Sequence, residues 1–334
     1  MHDVLRELAL REAQKENLLC LKNDDSIISV GFRRSQLINS SRISHPWSIQ
    51  SKIFSTFSFL DLSNNGNSKQ FNCHLKFLRG LILDAQGYRA YSFISLVHLR
   101  WLMYDFALKL NSLPLFMLWN LQKLDVGDRS LYETLNISGL PQLKNLNVGG
   151  GITLVPPRSV HHNLESIRYL NYMSCTEELF MRIPNLRTLG VHLKRKAFNW
   201  FQNLAYLYKL EDLQVHGELL HPKFSTIHST GTLSIENFLP NLKKLKLFET
   251  ELNWKDMNVV GMLPKLEVLI LEDNAAVGKK WKPKDGGFHG LKLLIIGTCD
   301  LQIWKATGDH FHVLECLVLK RLEGLKKIPR TLHI

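Results

Sequence analysis

The 334-residue chain lacks most of the signatures that would assign it to a catalytic or membrane class. Its five cysteines (Cys20, Cys73, Cys175, Cys299, Cys316) are odd in number, far apart and free of any C-x-x-C pair. That excludes a disulfide framework or a zinc module and points to a reducing compartment. No stretch reaches the roughly 18 uninterrupted apolar residues of a membrane helix. The N-terminal stretch MHDVLRELALREAQKENLL is too charged for the apolar heart of a signal peptide. There is no G-x-x-x-x-G-K-[ST] phosphate loop, no G-x-S-x-G elbow and no H-E-x-x-H pair. Gly149-Gly150-Gly151 follows a strand pattern without a helix pattern behind it, which reads as a turn rather than a phosphate cradle. The fourteen histidines show no metal-ligand spacing. The expectation is a cytoplasmic protein that is not an enzyme, holds no metal and spans no membrane.

Charge of one sign is in excess, with 42 basic against 30 acidic residues, a net +12. A polyanionic partner would call for a concentrated block. Residues 1–190 and 191–334 each carry 21 basic and 15 acidic groups, so the excess is spread evenly. The short runs Lys194-Arg195-Lys196 and Lys279-Lys280-Trp281-Lys282-Pro283-Lys284 read as solvated loops. No nucleic-acid partner is expected.

What the chain has in abundance is leucine, 61 residues or 18%. They fall in a phrase, L-x-x-L-x-L, that recurs at Leu78/Leu81/Leu83, Leu99/Leu102/Tyr104, Leu121/Leu124/Val126, Leu143/Leu146/Val148 and Leu186/Leu189/Val191. It continues at Leu210/Leu213/Val215, Leu242/Leu245/Leu247, Leu266/Leu269/Leu271, Leu291/Leu294/Ile296 and Leu314/Leu317/Leu319. A weaker copy, Leu164/Ile167/Tyr169, falls where the rhythm requires one. First positions are separated by 21, 22, 22, 21, 22, 24, 32, 24, 25 and 23 residues. Leucine-rich repeats run 20–29 residues.

Proline introduces several copies (LPQL at 140–143, IPNL at 183–186, LPNL at 239–242, LPKL at 263–266), fixing a turn before the strand without costing a ladder bond. The predicted fold is an α/β leucine-rich-repeat solenoid of about 11–12 repeats. It would have a curved parallel sheet and an irregular, partly helical convex side. Residues 53–62 (IFSTFSFLDL) alternate like an entry strand, and 63–72 read as a polar loop. Residues 3–19 suit one amphipathic helix. The 32-residue interval holds an insertion that is either a surface excursion or an eroded repeat.

Within each phrase, positions 4 and 6 should point inward and position 5 outward, because strand side chains alternate. The outward series is Ile82, Met103, Asp125, Asn147, Arg168, Gly190, Gln214, Lys246, Ile270, Ile295 and Val318. Its last three members are apolar, and position 3 beside them adds Val268, Leu293 and Cys316. Strands stack about 4.8 Å apart, so these six residues would form one contiguous stripe. Such a stripe marks a partner-binding face, unless further repeats or a neighbouring loop cover it.

The opening Met1-His2-Asp3, with VLRELALREAQKENLL behind it, resembles the MHD motif and following helix of plant NLR immune receptors. The segments CTEELFMRIPNLRTLGV (175–191), LPNLKKLKLFETELNWKDMNVVGMLPKLEVLILEDNAAVGKKW (239–281) and FHVLECLVLKRLEGLKKIP (311–329) are similar to the late-blight-resistance branch of the coiled-coil class. The resemblance implies that residues 1–45 are the end of a nucleotide-binding NB-ARC module plus a linker, and 46–334 the repeat domain. It implies a cytosolic receptor that recognises pathogen effectors and triggers a hypersensitive response. His2 and Asp3 would contact ADP, but only with an NB-ARC domain supplied elsewhere, since the P-loop would lie upstream of Met1. The chain itself would need no cofactor. Its partners would be proteins: an effector, a guarded host protein or the NB-ARC domain. Two alternatives stay open, a repeat scaffold of the ubiquitin-ligase type and a non-functional truncated paralogue.

Overall fold

Each repeat begins with a turn, and the turn is legible in the sequence. In most repeats the residue three positions before the first leucine is apolar (His161 before Leu164 is the exception), and its carbonyl accepts the N–H of that leucine. The bonds run from Leu121 to Leu118, Leu143 to Leu140, Leu210 to Leu207 and Leu291 to Phe288, for example. The prolines of the L-P-x-L phrases occupy the second position of this four-residue turn, where their fixed φ is already correct. Directly after the first leucine, two consecutive N–H groups converge on one carbonyl of the preceding repeat. Gln122 and Lys123 share Arg100, Glu211 and Asp212 share Arg187, and Lys292 and Leu293 share Glu267. That shared carbonyl sets the strand register before the strand begins.

We describe a computed structural model of the chain, which covers residues 19–21, 27–29, 79–83, 96–104, 115–127, 133–149, 151–193, 200–217 and 239–329. His2, Asp3, the predicted helix over 3–18, the 53–62 entry repeat and the 63–72 loop all lie outside these residues. A short antiparallel pair, β1 (Leu19–Leu21) with β2 (Ile27–Ser29), shows that Leu19 belongs to a strand and not to the helix the sequence suggested.

The chain divides into two compact units, residues 1–146 and 147–334. In the first, β3 (Gly80–Leu83), β4 (Trp101–Tyr104) and β5 (Lys123–Val126) are parallel neighbours, paired Leu81 with Leu102 with Leu124. Strands β6 (Thr134–Asn136) and β7 (Asn145–Asn147) follow. In the second, after β8 (Thr153–Val155), the parallel run comprises β9 (Ser166–Asn171), β10 (Thr188–His192), β11 (Asp212–His216) and β12 (Lys244–Phe248). It continues through β14 (Val268–Glu272), β17 (Leu293–Ile296) and β19 (Cys316–Leu319). Short pieces fill the returns. They are β13 (Leu252–Asn253), β15 (Ala276–Val277), β16 (Lys280–Trp281), β18 (Ile303–Trp304), and the one-turn helices α1 (Glu177–Met181) and α2 (Met257–Val260). Thr176 caps α1, its hydroxyl accepting the Leu179 N–H at 3.2 Å, and Glu177 and Glu178 favour the positive helix end. The parallel strands and their leucine ladder make the fold a leucine-rich-repeat solenoid.

Burial follows the predicted alternation. In β11, β12 and β14, the first, third and fifth residues are half-buried and the second and fourth buried. The first leucines from Leu99 to Leu314 are buried as well. Each such side chain contributes about 1.5–3 kcal/mol when removed from water, which one repeat alone cannot achieve. Across the long interval between Leu210 and Leu242, β11 pairs directly with β12 from Asp212↔Lys244 to His216↔Phe248.

One expected inward residue is corrected. The phrase puts Tyr169 at the sixth position of the weak copy, but Leu170 is the buried residue there and Tyr169 is half-buried. Tyr169 adopts φ +58, and the pairing with β10 shifts between Leu189↔Ile167 and Val191↔Leu170. An extra residue has bulged out of β9, so the copy is one residue longer than the phrase. The bulge explains Gly190 opposite, where a Cβ would lie 3.1 Å from the Tyr169 nitrogen.

Candidate protein-binding face

The pairing registers bring the six predicted stripe residues together. Val268, Leu293 and Cys316 are direct neighbours in one row across β14, β17 and β19, and Ile270, Ile295 and Val318 in the next. Cys316 is exposed and the other five are half-buried. The inward Leu269, Leu271, Leu294 and Ile296 between them are buried, so the two rows stand on a packed layer.

Going the other way along the same rows, the chemistry changes from apolar to charged. Val268 is preceded by Lys244, Asp212 and Thr188, and Ile270 by Lys246, Gln214 and Gly190. Arg168 stands exposed on β9 beyond them. Three cations therefore share this part of the face with the single carboxylate of Asp212. Burial holds the Lys246 ammonium below the usual lysine range, with the charges of Lys244 and Arg168 pushing the same way and Asp212 opposing. Asp212 keeps one buried oxygen without a hydrogen-bond partner among the described residues.

A third row, one step past the leucine phrase, was not singled out from sequence. It holds His192, His216, Phe248 and Glu272, in register. His216 stacks on Phe248 with ring centroids 4.6 Å apart and planes within 7°, and Tyr169 approaches it at 5.2 Å. Burial lowers the His216 pKa, with the nearby His192 and Lys246 adding to the effect, so its imidazole is neutral at pH 7. Continuing the alternation by one residue past each phrase would have found this row. Glu272 is engaged across an intervening strand by Lys320 at 2.7 Å, an approach that crosses Gly297, which has no side chain to block it.

Other predicted features are placed as follows. The Ile152 N–H donates to the Gly149 carbonyl at 2.9 Å, the bond of a turn, as the sequence reading of this stretch expects. Among the described residues, no helix is long and apolar enough to cross a membrane.

No protein-family model matches the chain. Curated relatives do. A late blight resistance protein homologue of Solanum demissum is 26% identical over 363 residues, covering 98% of this chain and 45% of its own. A late blight resistance protein of the same species is 25% identical over 369 residues, covering 98% and 27%. A disease resistance protein of Arabidopsis thaliana is 24% identical over 367 residues, covering 100% and 40%. The chain thus spans less than half the length of these relatives. Among solved structures, an internalin from Listeria monocytogenes matches with TM-score 0.49 and 17% identity over 78% of this chain and 72% of its own. A TLR13–ssRNA13 complex matches with TM-score 0.46 and 18% identity over 78% and 44%. At such scores the repeat architecture rests on the chain's own strands. The relatives, in contrast, match along nearly the whole sequence and agree with the late-blight resemblance of its motifs: the chain is similar to plant disease-resistance proteins of the late-blight-resistance kind.

Proposed function

We propose that the chain is a recognition and autoinhibition module of a plant intracellular immune receptor. It is not an enzyme and binds protein partners through the open face of its parallel sheet. The observation that carries this is the registered double row Val268/Leu293/Cys316 and Ile270/Ile295/Val318, an apolar surface on a rigid layer. Candidate occupants are a pathogen effector, a guarded host protein or an NB-ARC domain. An NB-ARC domain is also the only setting in which His2 and Asp3 would have a nucleotide to contact. The module works in the cytoplasm and needs no cofactor of its own.

The test is co-expression with the NB-ARC portion of a late-blight-type relative, scored by co-precipitation. Recovery is expected, and Ile270→Asp with Ile295→Asp should reduce it at least tenfold while circular dichroism and thermal midpoint stay near wild type. Undiminished recovery by a folded double variant would remove the stripe from the interface, and no recovery with any such domain would count against this partner.

A further inference from the structure

Two sets of cations on the second unit's sheet differ in their pairing. Along the turn side of the sheet they are paired: Arg187 and Lys243 both with Glu211 at 2.6 and 2.9 Å, and Lys292 with Glu267 at 3.6 Å. On the open face, Arg168, Lys244 and Lys246 take part in no ion pair among the described residues. Lys246 is half-buried, so its charge has already lost part of its hydration. A partly desolvated, unpaired ammonium costs free energy, and an arriving carboxylate would recover it. The apolar double row begins on the very next strand, since Lys244 pairs with Val268 and Lys246 with Ile270.

We infer that the segment this face binds is an extended protein stretch, acidic at one end and apolar at the other. Its carboxylates lie over Arg168, Lys244 and Lys246, and its apolar side chains over Ile270, Ile295 and Val318. This rests on the face being protein-binding and adds the chemistry and direction of the partner. Three strand steps separate Lys246 from Val318, about 14 Å at the usual spacing, and an extended chain covers that in roughly four or five residues. The charge gradient fixes polarity, because a reversed segment would set carboxylates on the apolar rows and leave the cations unpaired. The nearby His216 is neutral at pH 7 and adds an aromatic surface beside the cations rather than another charge.

The experiment uses the full chain and three fluorescein-labelled probes: a peptide of four glutamates followed by four alternating leucines and valines, its counterpart with lysines for glutamates, and a single-stranded RNA of equal negative charge. Anisotropy titrations at low and high salt should show the acidic peptide binding at least tenfold tighter than the lysine peptide and the RNA, with the preference shrinking as salt rises. Lys244→Glu with Lys246→Glu should abolish the preference, Lys244→Gln with Lys246→Gln should halve it or more, and Ile295→Asp should weaken the acidic peptide regardless of salt. If both lysine variants leave acidic-peptide binding unchanged while Ile295→Asp still weakens it, this inference is overturned and the protein-binding face survives. Preference for RNA overturns the choice of partner. If no peptide binds and the stripe variants leave partner capture intact, both readings fall together.

Discussion

At the scale of single residues, three tryptophans one repeat apart join the leucines in packing the second unit. Trp281 is stacked between Trp254 at 4.8 Å and Trp304 at 5.3 Å, with Phe288 and Phe311 meeting it edge-on at 6.0 and 6.1 Å. Their indole nitrogens have no hydrogen-bond partner among the described residues, so the stack is held by packing. Trp281→Ala should lower unfolding free energy by about 3–5 kcal/mol, measured by urea denaturation. A second alanine at Trp254 should cost less than it does alone, because the two rings share contacts. Gly217 shows a different constraint: a Cβ there would lie 1.9 Å from the Glu249 carbonyl oxygen, so Gly217→Ala must displace backbone.

His216 links a residue to pH. Its folded-state pKa is depressed, so the unfolded chain binds the proton more tightly. Its contribution is complete above the ordinary histidine value of about 6.5 and is lost as pH falls toward the depressed value. Thermal midpoints should therefore drop between pH 7 and 5, and His216→Phe should flatten that part of the profile. An unchanged slope in the variant would show that other groups dominate.

The elements carry an ordering device of their own. The residue after the first leucine reads Glu165, Arg187, Glu211, Lys243, Glu267, Lys292, Glu315, alternating in sign through seven consecutive strand entries. Neighbouring entries lie one strand apart, so each charge faces opposite charges and a slip by one repeat would oppose like ones. The hydrogen bond from Lys243 lowers the Glu211 pKa most; burial comes next and opposes it, and the Lys243 charge and Arg187 lower it further. These pairs are largely exposed, and each contributes only about 0.2–1 kcal/mol. Glu211→Lys, which sets three cations in a row, should lower the thermal midpoint by a few degrees. The loss should shrink in 1 M salt, whereas a salt-independent loss would indicate a packing defect instead.

Asparagine adds a second ladder. The side-chain amides of Asn120, Asn185 and Asn241 donate to the carbonyls of Val97, His162 and Tyr208 one turn back. Lys209 and Lys265 donate in turn to Asn185 and Asn241, each at 2.6 Å. The I-P-N-L and L-P-N-L phrases predict turns, and the structure shows that their asparagine also joins one turn to the last.

For the molecule as a whole, stability in a repeat array is a sum of repeats and the contacts between neighbours, so a strand less covered by its neighbours is weaker. In β19, Leu317 and Leu319 are half-buried, whereas their register partners Leu294 and Ile296 are 0% and 1% exposed. Amide hydrogens of 316–319 should exchange with solvent well before those of 212–216 and 244–248. Equal protection across all three would show the unit opening as one cooperative body.

Spacing alone determined the repeat, its turns, the inward leucines and the six-residue stripe, because period two within a strand and about 23 residues between strands leave one way to stack. Composition alone could not place the charge. The +12 total is shared evenly along the sequence, yet register gathers Arg168, Lys244 and Lys246 on one face and neutralises Arg187, Lys243 and Lys292 on the turn side. The bulge at Tyr169 and the tryptophan stack were likewise decided by tertiary contact. Each depends on which residues become neighbours across strands more than twenty positions apart, and a backbone shift of one residue is enough to change them.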